Sequence, residues 1–98
     1  MGKVYVGDVG TIITLNYGLD TSTATQAKIK ARKPVSGDEV EWAATPAVID
    51  GETTGLTYTV EADDLDEVGD WRLQTWAAFD GGEWSGETYK MRVWPKYG

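Results

Sequence analysis

Six carboxylates crowd one stretch of this 98-residue chain: Glu61, Asp63, Asp64, Asp66, Glu67 and Asp70. Clustered acids lend themselves to two kinds of chemistry. They can hold a hard cation such as calcium, which takes several oxygen ligands. Alternatively, two of them can share the work of an acid and a base or nucleophile, as in glycoside hydrolysis. The spaced Asp-x-Asp-x-Asp-Gly loop of a dedicated calcium site is absent. Nothing in the sequence marks two of the acids as a buried, matched pair, and so short a chain has little room for a cleft. A solvated corner with carboxylates at the start of a single helical turn over Asp64 to Val68, capped by Asp63, accounts for the cluster. We assign no catalytic, metal-ligating or cofactor-binding residue here, expect no cofactor, and expect the protein not to be an enzyme.

Composition narrows the chemistry further. The chain has no His and no Cys, so Ser-His and Cys-His constellations cannot form and the commonest zinc ligands are missing. No disulfide supports the fold. The glycines sit singly at turns and do not form a phosphate-binding loop opening a helix. A net charge of −7 argues against nucleic acid as a partner through phosphate neutralisation. No apolar run approaches the length of a membrane span and the first residues lack a signal-peptide pattern, so the expectation is a soluble chain with no membrane partner.

The remaining candidates are aromatic. Of five Trp, Trp42 and Trp71 fall at positions that read as core. Trp76, Trp84 and Trp94 share a parity that puts them on the outer side of a closing hairpin, and an outward Trp row is typical of interfaces. Two alternatives stand beside that reading: the chain's own termini cover the row, or a bulge turns one Trp inward. Such a row could also stack on sugars.

These side chains need elements to position them. Turn signals recur about every dozen residues with apolar alternation between them, which is the all-β pattern. Lys3 to Val6 opens as a short strand. Thr11 to Tyr17 follows, with Ile13, Leu15 and Tyr17 on one face; Ile12 interrupts the alternation and suggests burial on both faces or a bulge. From Thr25 to Lys33 the alternation is cleanest: Ala27, Ile29 and Ala31 inward, Lys28, Lys30 and Arg32 outward. Across a Pro34–Gly37 turn, Val40 and Trp42 face inward and Glu39 and Glu41 outward. That register sets Arg32 against Glu39 and Lys30 against Glu41, with Ala31 against Val40 and Ile29 against Trp42. Ala47 to Ile49 reads as an edge piece ended by Asp50-Gly51, Glu52 to Gly55 as loop, and Leu56 to Val60 as a strand running into the acidic corner. The last unit is a hairpin, Trp71 to Phe79 and Glu83 to Trp94. A two-residue Gly81-Gly82 turn would oppose Leu73 and Lys90, so the pattern predicts a three-residue Asp80-Gly81-Gly82 turn with a bulge. That register opposes Leu73 and Tyr89, Trp71 and Met91, Trp76 and Gly86, and Trp84 and Ala78. Pro95 ends the strand.

One domain over residues 1–98 follows, an antiparallel Ig-like β-sandwich of about seven strands. In such sandwiches a Tyr locks the start of a strand at the crossing between sheets; Trp71, two residues before Leu73, holds that place here.

Gly7-Asp8-Val9-Gly10, the run Ala27 to Pro34, Val40-Glu41-Trp42, Asp64-Leu65 through Gly69-Asp70-Trp71, and the Gly81-Gly82 hairpin occur in an order that resembles the N-terminal Ig-like domain of tailed-phage baseplate upper proteins and related small phage or prophage structural proteins. The resemblance implies a virion structural or adaptor subunit of a tail or baseplate, made in the host cytoplasm and localised to the virion. Its partners would be other tail proteins or itself, with a homo-oligomer on assembly, through sheet faces and edge strands. The alternative is a carbohydrate-binding or adhesion module that presents its outward Trp to a host-surface glycan.

Overall fold

In a computed structural model that describes residues 3–96, the chain is all-β and folds into two packed sheets. Eight strands form: β1 (Val4–Tyr5), β2 (Ile12–Asn16), β3 (Gln26–Arg32), β4 (Glu39–Ala43), β5 (Thr45–Ile49), β6 (Glu52–Thr59), β7 (Gly69–Phe79) and β8 (Gly82–Trp94). The five-stranded sheet has the order β1-β8-β7-β3-β4 and the three-stranded sheet β2-β6-β5. Every pairing is antiparallel except that of β1 along β8. The order matches an Ig-like sandwich: β2-β6-β5 stand as its B-E-D strands, and β8-β7-β3 as G-F-C, with β4 beside C.

The β3–β4 register is the one the charges dictate, with Arg32 opposite Glu39, Lys30 opposite Glu41, Ala31 opposite Val40 and Ile29 opposite Trp42. Single-residue Ala44 then carries the chain from one sheet to the other. Two expectations about the second sheet need correction. The run Glu52 to Gly55 is strand, not loop: Asp50 (φ 52°) and Gly51 (φ 82°) form a two-residue turn with both residues left-handed, which twists as paired strands require. Ile12 is neither doubly buried nor bulged, because β2 pairs regularly with β6 and leaves Ile12 66% exposed on the outer face.

The core is bound together by aromatic stacking between the sheets. Trp42 of β4 lies 5.0 Å from Tyr58 of β6 at an interplanar angle of 7°, and 6.0 Å from Trp71 of β7. Trp71 is fully buried, and its Nε1–H donates to the Glu67 carbonyl at 2.9 Å. This bond reaches four residues upstream, as the hydroxyl does in a tyrosine corner. Burial of an aromatic of this size removes about 150–250 Å² from water, roughly 4–6 kcal/mol before ordering costs. Leu65, Leu73, Val60 and Val93 complete the floor around it, and each is essentially inaccessible.

The closing hairpin departs from the expected turn. Leu73 does oppose Tyr89, and Trp71 opposes Met91, but Phe79 pairs with Gly82, so the turn is the two residues Asp80-Gly81. The extra residue lies along β8, where Gly86 and Glu87 together face Thr75. The physical reason is packing from the other sheet. A Cβ on Gly86 would fall 2.3 Å from the Thr75 hydroxyl and 2.7 Å from the Tyr17 ring, so only a glycine lets Tyr17 close against β8 there. Tyr17 is also fixed by its hydroxyl, which donates to the Trp84 carbonyl at 3.0 Å.

Candidate interaction face

The acidic corner folds as a turn without a helix, correcting the expected helical turn over Asp64 to Val68. Its carboxylates serve the chain itself. Asp64 accepts from the Tyr58 hydroxyl and from the Glu61 amide. Burial, and then the adjoining Asp64, push the Tyr58 phenol well above its usual range. Asp66 pairs with Lys33 at 2.8 Å. Glu67 accepts from the amides of Val35 and Ser36 at 2.9 and 3.0 Å, and the Ser36 bond first of all holds its carboxyl below the ordinary range. These bonds strap the corner to the β3–β4 turn while Trp71 anchors it from below. Among the described residues, no group of three or more acids stands where one cation could be shared.

The bulge also redistributes the tryptophans. Trp76 is opposite Ser85, not Gly86, and Trp84 is opposite Ala77, not Ala78. Ala77 is fully buried, so Trp84 shares the inward side of the sheet with it and is not on the outer face with Trp76 and Trp94. At the hairpin's tip the core no longer reaches that side, and Trp84 remains 53% exposed, tilted against Phe79 at 5.9 Å. Trp76 and Trp94 do share the outer face, but nearly the whole of β7 separates them, roughly 25 Å at the rise of a strand. Neither ring is bare. Trp76 lies under Lys28 and Lys30, with Nζ at 5.2 and 5.3 Å from its centre, and Trp94 under Lys3 and Arg92 at 4.3 and 5.3 Å. The outward Trp row thus does not form.

What the outer face of the five-stranded sheet does carry is charge, in cross-strand rows. Asp70 faces Arg92 in the first. In the second, Glu39, Arg32, Arg72 and Lys90 stand in line across β4, β3, β7 and β8. The third holds Glu41, Lys30, Gln74 and Thr88, and the fourth Ala43, Lys28, Trp76 and Ser85. A fifth row, at the hairpin's end, holds Gln26, Ala78 and Glu83. Six of the nine basic residues stand in these rows against four carboxylates, a surplus of two positive charges on a chain whose net charge is −7. The rest of the chain therefore carries a net −9.

Three of the carboxylates, Glu39, Glu41 and Asp70, neutralise the cations next to them. Arg32 binds Glu39 at 3.0 Å, Lys28 binds Glu41 at 2.9 Å, and Arg92 grips Asp70 with Nε at 2.8 Å and a second nitrogen at 3.2 Å. The Lys28 hydrogen bond to Glu41 and the Arg92 hydrogen bond to Asp70 hold both carboxyls below their usual range. In the middle, Arg72 lies directly between Arg32 and Lys90. Among the described residues neither Arg72 nor Lys90 has an ion-pair or side-chain hydrogen-bond partner. A shallow depression of about 240 Å³ opens over this row, lined by Lys30, Arg32, Glu39, Arg72, Gln74 and Thr88. It can receive an anionic group and offers amide and hydroxyl donors beside the cations; it has no paired acid and base for a reaction.

The outer surface of the other sheet is the opposite in character. Its three strands carry a single charged residue, Glu52, and present Thr14, Thr45 and Thr57 side by side. Sequence reading identified Lys28, Lys30 and Arg32 as an outward row but missed Arg72, Lys90 and Arg92. The signal for half of it was present, because opposing Leu73 and Tyr89 also opposes their neighbours Arg72 and Lys90. Comparison with family models, with curated proteins and with solved structures finds no match for this chain.

Proposed function

We propose that the protein is a non-enzymatic assembly or adaptor module that engages protein partners through the outer face of its five-stranded sheet. The observation that carries this reading is the row Arg32–Arg72–Lys90. Like charges set directly opposite each other oppose folding, and their presence on an otherwise acidic chain is best explained by a partner that neutralises them. A broad, nearly flat face with a shallow depression suits a protein surface better than a small substrate, which favours an enclosing cleft.

The station of such a module is a tail or baseplate of a virion on the strength of the sequence resemblance alone, with neighbouring tail proteins or further copies of itself as the partners. The glycan alternative relied on a shared Trp platform, and the bulge at Gly86 separates Trp84 from Trp76. Cross-linking of particles purified from the host that carries the gene tests the proposal. Links from Lys28, Lys30 or Lys90 to a tail or baseplate protein are the expected result. Particles that lack the chain would remove the virion reading, and links confined to lysines outside these rows, such as Lys33 and Lys96, would remove the proposed surface.

A further inference from the structure

We infer that the Arg32–Arg72–Lys90 row is a docking site for a short carboxylate-rich segment of a partner protein. The inference rests on the assembly reading above and names the chemistry of the partner at that same face. Neighbouring strands lie roughly 5 Å apart, so the three cations span about 10 Å across β3, β7 and β8. Only Arg32 has an internal carboxylate, Glu39 at its outer side. The guanidinium of Arg72 presents a planar fork of donors suited to a carboxylate, and Lys90 adds a point charge beside it. In an extended segment, side chains at alternate positions lie roughly 7 Å apart on one side. Two acids so spaced reach Arg72 and Lys90 together, while Lys30, Gln74 and Thr88 in the adjoining row can donate to the segment's main-chain carbonyls or its side chains.

The face already uses this chemistry three times, with Glu39, Glu41 and Asp70 as the acids. A docked segment supplies the acids that the middle of the row lacks. A long polyanion is a poorer fit. Its affinity grows with the number of phosphates neutralised, and beyond this face it would meet a chain carrying a net −9.

Fluorescence anisotropy with a labelled peptide of alternating Glu and Ser decides the matter. The intact protein should bind it at about 20 mM salt and lose at least about fivefold in affinity at about 300 mM, where screening is strong. The Arg72→Gln, Lys90→Gln double variant should bind at least about tenfold more weakly. A Lys96→Glu variant should bind like the parent. Both variants change the net charge by −2, so the comparison reads the row and not the total charge, and melting curves establish that both are folded. Equal binding by the two variants overturns the inference. So does equal binding of a Gln-Ser peptide, or binding of heparin or a phosphoserine peptide without the Glu peptide. Self-association that the double variant abolishes also overturns it, since the occupant would then be a second copy. If the peptide fails while particle cross-links still run through this face, the inference falls and the assembly reading stands; peptide binding by a chain absent from particles gives the reverse.

Discussion

If the middle of the cation row is held against its own repulsion, removing a charge there should stabilise the protein. Arg72 is the position to change, because Arg32 and Lys90 stand directly across from it on either side. Long side chains can splay their charged ends to about 7 Å, where two unit charges in water repel by roughly 0.6 kcal/mol. Two neighbours give about 1.2 kcal/mol at low salt. Asp70, two residues back on the same face, returns part of this by attraction, and Arg92 already engages it. The net gain for Arg72→Gln is then about 0.5–1 kcal/mol at about 10 mM salt, shrinking to a few tenths at 0.15 M, where the Debye length is about 8 Å. For a domain of this size that corresponds to a melting midpoint roughly 2–6 °C higher at low salt. The charge-retaining Arg72→Lys should show no such gain, which separates electrostatics from loss of the stem's packing. Thermal melts followed by circular dichroism at low and high salt provide the measurement. A lower midpoint for Arg72→Gln, or a rise that persists unchanged at about 0.5 M salt, would refute the reasoning, because screening must erase a Coulombic effect between exposed groups.

Three other outcomes follow from the packing. Trp71→Phe should cost about 2–4 kcal/mol in urea unfolding, through a smaller buried ring and loss of the bond to the Glu67 carbonyl, and Trp71→Tyr should recover about 1 kcal/mol of it if its hydroxyl reaches that carbonyl. Equal losses for Phe and Tyr would mean that a Tyr hydroxyl does not replace the indole bond at this corner. Gly86→Ala should destabilise by about 1–3 kcal/mol, since its methyl collides with Thr75 and Tyr17; Gly81→Ala at the open turn, with no atom nearby, serves as the tolerant control. Glu41, Glu67 and Asp70 all have carboxyls held below their unfolded values. Their contribution is therefore complete above the unfolded carboxyl range near pH 4 and is lost as pH falls through the lower folded values. Glu67→Gln should make the acid limb of the stability profile shallower, and an unchanged limb would show that the strap to Val35 and Ser36 is unimportant.

How far the sequence could be read depended on whether neighbouring strands supplied independent checks. Between β3 and β4 two checks agreed, since one shift of register would have opposed both the charges and the apolar residues, and the structure has that register. In the closing hairpin a single check was applied to its far end and carried through to the turn. Leu73 against Lys90 excluded the Gly81-Gly82 turn, which does not form, but an Asp80-Gly81 turn with one extra residue farther along β8 reaches the same Leu73–Tyr89 pairing as a three-residue turn. Gly86, alone inside a strand, is the residue type that marks a bulge, but part of what demands glycine there is Tyr17, which follows the end of β2 almost seventy residues earlier. No local pattern contains that contact. The corner shows the same limit: its acids resembled a helix start, whereas their partners lie on the β3–β4 turn some thirty residues away.

The charge of the interaction face poses a sharper problem, because the whole-chain average points the wrong way. A net −7 speaks against long polyanions and is silent about a short acidic segment. Nothing in the intervals between Arg32, Arg72 and Lys90 brings them together; β3 must pair with β7 and β7 with β8 before they form a row. Once they do, field and extent pull in different directions. Within about one Debye length of the row the potential is that of three nearby cations. Farther out it is that of a strongly acidic body. An approaching acidic protein is therefore repelled at long range and attracted only on contact in the right place, which slows encounter but penalises wrong docking. Raising salt from a low value should thus speed association by screening the repulsion while it weakens the final complex. A stopped-flow titration in which both association and dissociation rates rise with salt would bear this out, and an association rate that falls with salt would show that the row, not the body, governs the approach.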